Sequence, residues 1–375
     1  MRVLMMNRKD CFAKPGGDTV QMIKTKEYLE KLYNLSINFG FSEEDIVRYD
    51  PDIVHIFNIQ TYNESEYYVR NAKKYKKRIV LSPIYWDLYD SIYVTAMFSR
   101  LKITSSSILL IFRNVGKNLI KFYNDIFQKN KRLKIKYILD NSDILLPNSQ
   151  EECQIISDEF GFKGSYKVVY NGVDNFFCKK QRKRELNKKV INILTVGRIE
   201  VTKNQLNILK AIVGVKNNYN DKIINYTMIG RGVPEYISKI YSYYYNNKLK
   251  EKGINIIIKE EVEHSKIIEE YLKADIHILA SFRESPGLAS LEALTTDCKI
   301  IVSNSPFSPI HTYFEHYPNS VFTCNPYKIA SIQKAILKAI EALKKNNNME
   351  IDFFPFTWDV AAKQTYEAYN AIYSE

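Results

Sequence analysis

The chain has 375 residues, which at roughly 150 residues per domain means two or three domains. Hydrophobic residues make up 45% and charged residues 26%, and only 13 Gly and 11 Pro occur, so extensive disorder and collagen-like or low-complexity character are excluded. Lys plus Arg (54) exceed Asp plus Glu (42) by 12, a balance that attracts phosphates, nucleic acid or anionic lipid.

The N-terminus reads strand, Gly-rich loop, helix: Arg2–Met6, then Lys14–Asp18 (KPGGD), then a helix-like stretch from Thr19 to Leu32. Gly16 and Gly17 sit in that loop, with Asp18 beside them. Ile53–Phe57, Arg78–Ser82 and Asp143–Pro147 read as further buried strands. Strands alternating with helices predict a parallel sheet covered on both faces. His55 lies on Ile53–Phe57 and faces either the core or an edge of the site. Asn58 lies at that strand's carboxyl end.

The charged, poorly periodic stretch Lys179–Lys189 reads as an interdomain linker. Beyond it the pattern restarts, with strands at Ile191–Gly197, Tyr226–Gly230, Ile254–Lys259, Asp275–Ala280 and Lys299–Ser303. Thr357–Tyr373 reads as one amphipathic helix.

Between Arg100 and Lys136 ten basic residues face one acid, Asp125, a net of +9. Ile108–Phe112 and several aromatics interleave with that charge. Two readings follow: a basic amphipathic segment lying on an anionic membrane surface, or a helical hairpin whose apolar face is core. Nucleic acid fits less well, since no helix-turn-helix or RNA-binding signature accompanies the charge. The five cysteines include no CxxC, which argues against a zinc ribbon or thioredoxin-type site and suits a reducing, cytosolic setting. The opening apolar run is too short for a signal peptide, and no apolar run is long enough to span a membrane.

Glu284 and Glu292 stand eight apart in Phe282–Leu294 (FRESPGLASLEAL), just after an apolar strand. Ser285 and Pro286 read as a helix start, and Gly287 lets backbone approach a ligand. Amides at Gly287, Leu288 and Ala289 then point at an anion, at the strand end where open α/β sheets bind ligands. The plainer alternative is a capped helix with two surface glutamates.

This segment resembles the signature of family 4 retaining glycosyltransferases. Tyr170–Asp174 (YNGVD), Val196–Asn204 (VGRIEVTKN), Met228–Gly232 (MIGRG) and Trp358 fall in that family's order, covering nearly all of the second half and less of the first. The resemblance implies an α/β GT-B fold: two Rossmann-like domains with parallel sheets facing a central cleft. The N-terminal acceptor domain would span 1–182 and be joined by a crossover helix, 358–375. The nucleotide-sugar domain would span 190–357. It also implies Arg198 and Lys203 on the diphosphate, and Glu292 on the ribose. Glu284 would lie at the transferred sugar, as nucleophile or as orienting acceptor. Gly16, Gly17, Pro286, Gly287, Leu288 and Ala289 would join the donor site, and Asp18 and Asn58 would serve the acceptor.

Where the family carries a sugar-contacting histidine, this chain has Tyr85-Trp86-Asp87, so Trp86 either stacks on a sugar ring or is core. Asp50-Pro51-Asp52 imitates a manganese-binding pattern but precedes a strand, and no metal or cofactor is expected. The implied function is transfer of a sugar from a nucleotide-sugar donor to a glycan or lipid-linked acceptor in bacterial surface-polysaccharide synthesis. The setting is cytoplasmic, with an anionic membrane surface as a further partner. Two alternatives stay open: a non-catalytic donor- or acceptor-binding partner, and a nucleotide-sugar epimerase of the same fold.

Overall fold

The structure, a computed structural model, describes residues 1–104, 108–113, 129–174, 177, 189–260, 262–344 and 355–374. The chain forms two compact units. One comprises Met1–Trp86, Leu119–Val173 and Phe354–Glu375; the other comprises Asp87–Asn118 and Asp174–Phe353. The division falls after Val173 rather than near 182. The stretch 87–118, read from sequence as part of the first unit, belongs to the second. Its apolar residues explain this: Tyr93, Val94, Phe98 and Leu109 are buried in the second unit's core, beside Ile199, Val201 and Tyr236. Most of the expected linker lies outside the described residues.

In the first unit, β1 (Arg2–Met6), β2 (Ser36–Gly40), β3 (Ile53–Phe57), β4 (Arg78–Ser82) and the two-residue β5 (Ile144–Leu145) form one parallel sheet, in the order β2-β1-β3-β4-β5. Leu4, Met6, Val54, Ile56, Ile79 and Leu81 are buried against the helices Tyr62–Lys74 and Lys129–Asp140 through Tyr68, Val69, Ala72, Ile135 and Ile138. A strand buried on both faces needs such a continuous apolar run. The C-terminal helix Trp358–Tyr373 packs on Gly17–Tyr33, with Tyr33 and Tyr366 stacked at 4.0 Å. Gly172 makes that return possible. A Cβ there would lie 2.3 Å from the carbonyl carbon of Thr357 and 2.4 Å from the nitrogen of Trp358, so only glycine lets the backbones cross.

In the second unit, β6 (Val190–Val196), β7 (Ile223–Ile229), β8 (Ile254–Lys259), β9 (Ile276–Leu279), β10 (Lys299–Ser303) and β11 (Val321–Cys324) form a parallel sheet, in the order β11-β10-β9-β6-β7-β8. The chain leaves β6 toward β7 on one side, while β9 pairs with β6 on the other. The strand order therefore reverses at β6 and β9. The loops at their carboxyl ends sit side by side, the position at which open α/β sheets take ligands. In the first unit the same reversal lies at β1 and β3.

Candidate active site

The loop after β6 turns at Gly197, whose φ of 144° lies in glycine's region. Gly230, after β7, allows the close approach: a Cβ there would sit 2.4 Å from the oxygen of Gly197. The chain then forms the short turn Val201–Lys203 and enters the helix Gln205–Lys216 through Asn204, at φ 67°. The Asn204 side chain donates to the carbonyls of Ala280 (3.0 Å) and Pro326 (2.8 Å), tying this loop to the ends of β9 and β11. The amide of Phe282 donates to Thr202 O at 2.9 Å, a second tie between the two loops.

These ties bring Lys203 onto Glu284, Nζ to Oε1 at 2.5 Å. The side chains are 19% and 9% exposed. Arg198 is 71% exposed and reaches Glu200 at 3.1 Å. One cation of the loop is thus enclosed with a carboxylate and the other stands toward solvent. Glu284 is held by its own amide, which donates to Phe307 O at 2.8 Å.

The expected helix start at Ser285 and Pro286 is corrected. The helix spans Leu288–Leu294, and Gly287 caps it at φ 88°. The left-handed backbone demands glycine at 287, and a Cβ there would also crowd Leu279 Cδ2 at 3.1 Å and Glu284 Oε2 at 3.3 Å. Glu292 lies one turn into the helix and is buried. It accepts the hydroxyl proton of Tyr271 at 2.8 Å. The alternative of two surface glutamates is thereby excluded. Burial and the Glu292 carboxylate hold the Tyr271 phenol protonated, well above its ordinary range. His277, on β9, is buried and pushed down to about 3 by desolvation, so it is neutral at physiological pH.

In the first unit, Gly16 caps the helix Gly17–Tyr33. Asp18, in its first turn, is nearly buried and engaged. Arg8 Nε lies 2.9 Å from its Oδ2, and Asn58 Nδ2 donates to the same oxygen at 3.3 Å. Gly17 faces open space, whereas a Cβ on Gly16 would meet Asp18 Oδ1 at 2.7 Å. Asn58 sits at φ 75° and its Oδ1 accepts from the Gln60 amide. His55 bridges Tyr369 Oη at 2.6 Å and Ser82 Oγ at 2.9 Å and stacks on Phe57. Its burial pushes it down to about 3 and makes it a neutral core group. Trp86 is buried, at 2% exposure. Asp50 and Asp52 pair with Arg2, and Asp50 also with Lys77.

The structure therefore brings Lys203, Glu284 and Gly287 together, with Arg198 on the same loop and Glu292 on the adjoining helix. Asp18 and Asn58 meet in the other unit. Three partners escaped sequence reading: Arg8, Asn204 and Tyr271. Of these only Asn204 carries a local signal, since asparagine tolerates the left-handed region its position demands.

The sequence profile described as "Glycosyl transferases group 1" matches residues 177–351. A capsular polysaccharide biosynthesis glycosyltransferase, CapH of Staphylococcus aureus, is 30% identical over 197 residues, 52% of this chain and 52% of that protein. An uncharacterised 41.2 kDa protein in the cps region of Klebsiella pneumoniae is 24% identical over 247 residues, 60% of this chain and 63% of that one. The chain thus spans about half the length of the first relative and under two thirds of the second. Among solved structures, HepE of Anabaena in complex with UDP aligns with a TM-score of 0.69 at 13% identity, over 99% of this chain and 100% of that one. The two Rossmann-like units are those of the GT-B fold.

Proposed function

We propose that this chain, whose residues 177–351 form a group 1 glycosyl transferase domain, moves a sugar from a nucleoside-diphosphate donor to a glycan or lipid-linked acceptor in surface-polysaccharide synthesis. The observation that carries it is the meeting of Lys203 and Glu284 from the two loops at the strand-order reversal. A cation and a carboxylate 2.5 Å apart match the junction of a sugar diphosphate, which offers phosphate oxygens to one and hydroxyls to the other. The likeness to a capsular polysaccharide enzyme supports the setting, and the UDP held by HepE makes UDP-sugars the first donors to try.

The roles follow from charge. The bond from the anomeric carbon to the diphosphate breaks with its electron pair on the phosphate oxygen. Lys203 and Arg198 neutralise that oxygen as its charge grows. Each is now paired, with Glu284 and Glu200, and a dianionic diphosphate competes for both. Glu292, fixed by Tyr271, accepts hydrogen bonds from the ribose diol. Glu284 orients the sugar. The acceptor hydroxyl attacks the anomeric carbon on the face the phosphate leaves, its proton passes to the departing phosphate oxygen, and configuration is retained. The two cations supply the charge that a divalent metal supplies in other transferases, so the reading invokes no metal and no cofactor. Asp18 and Asn58 are the acceptor groups of the first unit.

Peripheral association with the cytoplasmic membrane face belongs to the same reading. Ile108, Ile111, Phe112 and Leu101 are exposed. Part of the adjacent charge is spent within the fold: Lys102 pairs with Glu235, Arg113 with Asp90, Lys134 with Glu66 and Lys136 with Asp140. Among the described residues no helix is long and apolar enough to cross a membrane. Ile111→Asp/Phe112→Asp should abolish co-sedimentation with phosphatidylglycerol vesicles, and unchanged binding would remove the membrane from the account.

The chemistry is tested by slow donor hydrolysis, with water standing in for the acceptor. Proton NMR of the sugar released from α-linked UDP-hexoses should show the α anomer first. A β anomer as first product would overturn retention.

A further inference from the structure

The second unit holds a largely buried polar cluster that the proposed chemistry does not use. Arg113 forks onto Asp90, Nε to Oδ1 at 2.6 Å and Nη2 to Oδ2 at 2.9 Å. The hydroxyl of Tyr327 donates to the same Oδ1 at 2.6 Å. The Arg113 guanidinium also lies 5.3 Å from the Tyr327 ring and 5.7 Å from that of Phe307. Asp90 and Arg113 come from the excursion 87–118, which the chain inserts between two stretches of the first unit. Tyr89 and Tyr93 brace the excursion internally, donating to the carbonyls of Arg113 and Leu109 at 2.8 Å each.

This cluster connects to the Glu284 loop through two aromatic rings. The Tyr327 ring packs on Phe282 at 4.6 Å and on Phe307 at 5.9 Å between centroids. The Phe282 amide holds the Lys203 loop through Thr202 O, and the carbonyl of Phe307 holds the Glu284 amide. Asn204, next to Lys203, is anchored on Pro326, the neighbour of Tyr327. The helix Tyr89–Leu101 packs directly on the turn Val201–Lys203. An apolar trio would stabilise such a spot as well as a buried ion pair does, so stability alone does not account for the pair. What a bidentate fork with a third hydrogen bond adds is one fixed geometry.

We infer that Asp90, Arg113 and Tyr327 are positioning residues that set the register between the Lys203 loop and Glu284, so that the 87–118 excursion completes the donor site of its own unit. The inference rests on the donor-site reading, with Glu284 and Lys203 as the groups positioned.

Two conservative variants test it, Tyr327→Phe, which keeps the ring, and Arg113→Lys, which keeps the charge and loses the fork. Native-state hydrogen exchange at the amides of Phe282 and Glu284 is read without any ligand. It should accelerate about tenfold in both variants, the factor for roughly 1.4 kcal/mol, while exchange on β7 and β8 stays at the wild-type rate. UDP-sugar hydrolysis should lose about tenfold in kcat, with KM within about twofold, since the change falls on transition-state geometry. Uniform acceleration of exchange across the second unit would mean that the cluster only stabilises, and overturns the inference. So would wild-type kcat in Tyr327→Phe. A wild-type protein inert to nucleotide sugars sinks the donor reading instead, and the exchange pattern still decides whether the cluster sets the register.

Discussion

The Lys203–Glu284 pair should behave as a coupled unit whose stabilising and chemical roles separate. At 2.5 Å and an effective dielectric constant of about 20, the Coulomb attraction is about 7 kcal/mol. Desolvation of the two groups cancels most of it. Breaking a fully buried pair from one side costs about 3–5 kcal/mol. With 19% and 9% side-chain exposure this pair is slightly more open, so Lys203→Met should cost about 2–3 kcal/mol. Glu284→Gln should cost less, about 1–2 kcal/mol, because the amide oxygen still accepts from Lys203. In the double variant no charge is stranded, and stability should return to within about 1 kcal/mol of wild type. Urea unfolding of the four proteins gives the cycle. All three variants should have lost donor turnover, including the double variant that is stable again. Additive single effects, with a coupling below about 0.5 kcal/mol, would refute the paired geometry. Turnover in the double variant would refute its part in the chemistry.

Tyr271→Phe should weaken nucleoside-diphosphate binding about tenfold, as expected for one hydrogen bond to a charged group. The loss should vanish for a 2′,3′-dideoxynucleotide in calorimetry, and an equal loss for both ligands would remove Glu292 from the ribose. Gly172→Ala should cost about 2–3 kcal/mol in urea unfolding, because its Cβ meets the backbone of Thr357 and Trp358 at 2.3–2.7 Å; a cost under about 0.5 kcal/mol would contradict the crossing. His55 and His277 are both pushed down to about 3 by burial, so below pH 6.5 the unfolded chain takes up protons that the folded chain refuses. Their contribution is complete above pH 6.5 and is lost as pH falls, at about 1.4 kcal/mol per unit for each. A flat urea midpoint between pH 6.5 and 5 would contradict their burial.

What the sequence revealed is what local pattern can carry. Long apolar runs such as Ile53–Phe57 and Lys299–Ser303 announce buried parallel strands because both faces need cover. Ser36–Gly40 and Val321–Cys324 did not, since a polar residue interrupts each short run. The glutamates stand out because they lie eight apart just after an apolar strand, whereas Lys203 and Arg198 were singled out by the family resemblance of their loop. The helix start beside them was misplaced by two residues, because the left-handed backbone at Gly287 decides it and a preceding proline does not. Tyr271 carried no local signal, its hydroxyl partner being 21 residues away. The charge count over Arg100–Lys136 overstated what is free for a membrane. It counts nearby acids, whereas the fold brings Glu235, Asp90 and Glu66 to Lys102, Arg113 and Lys134 from outside the segment. The same long-range pairing hid the Asp90–Arg113–Tyr327 cluster.

Donor recognition by the loops after β6 and β9 is tested most directly by thermal shift of the wild type and of Arg198→Ala, with UDP-, GDP- and ADP-sugars in turn. Arg198 is exposed, so its removal should leave the fold unchanged. One nucleotide class should raise the wild-type midpoint, because a ligand that binds only the folded state stabilises it, and Arg198→Ala should lose most of that rise. No stabilisation of the folded wild type by any of the three, or equal stabilisation of both proteins, would contradict the assignment.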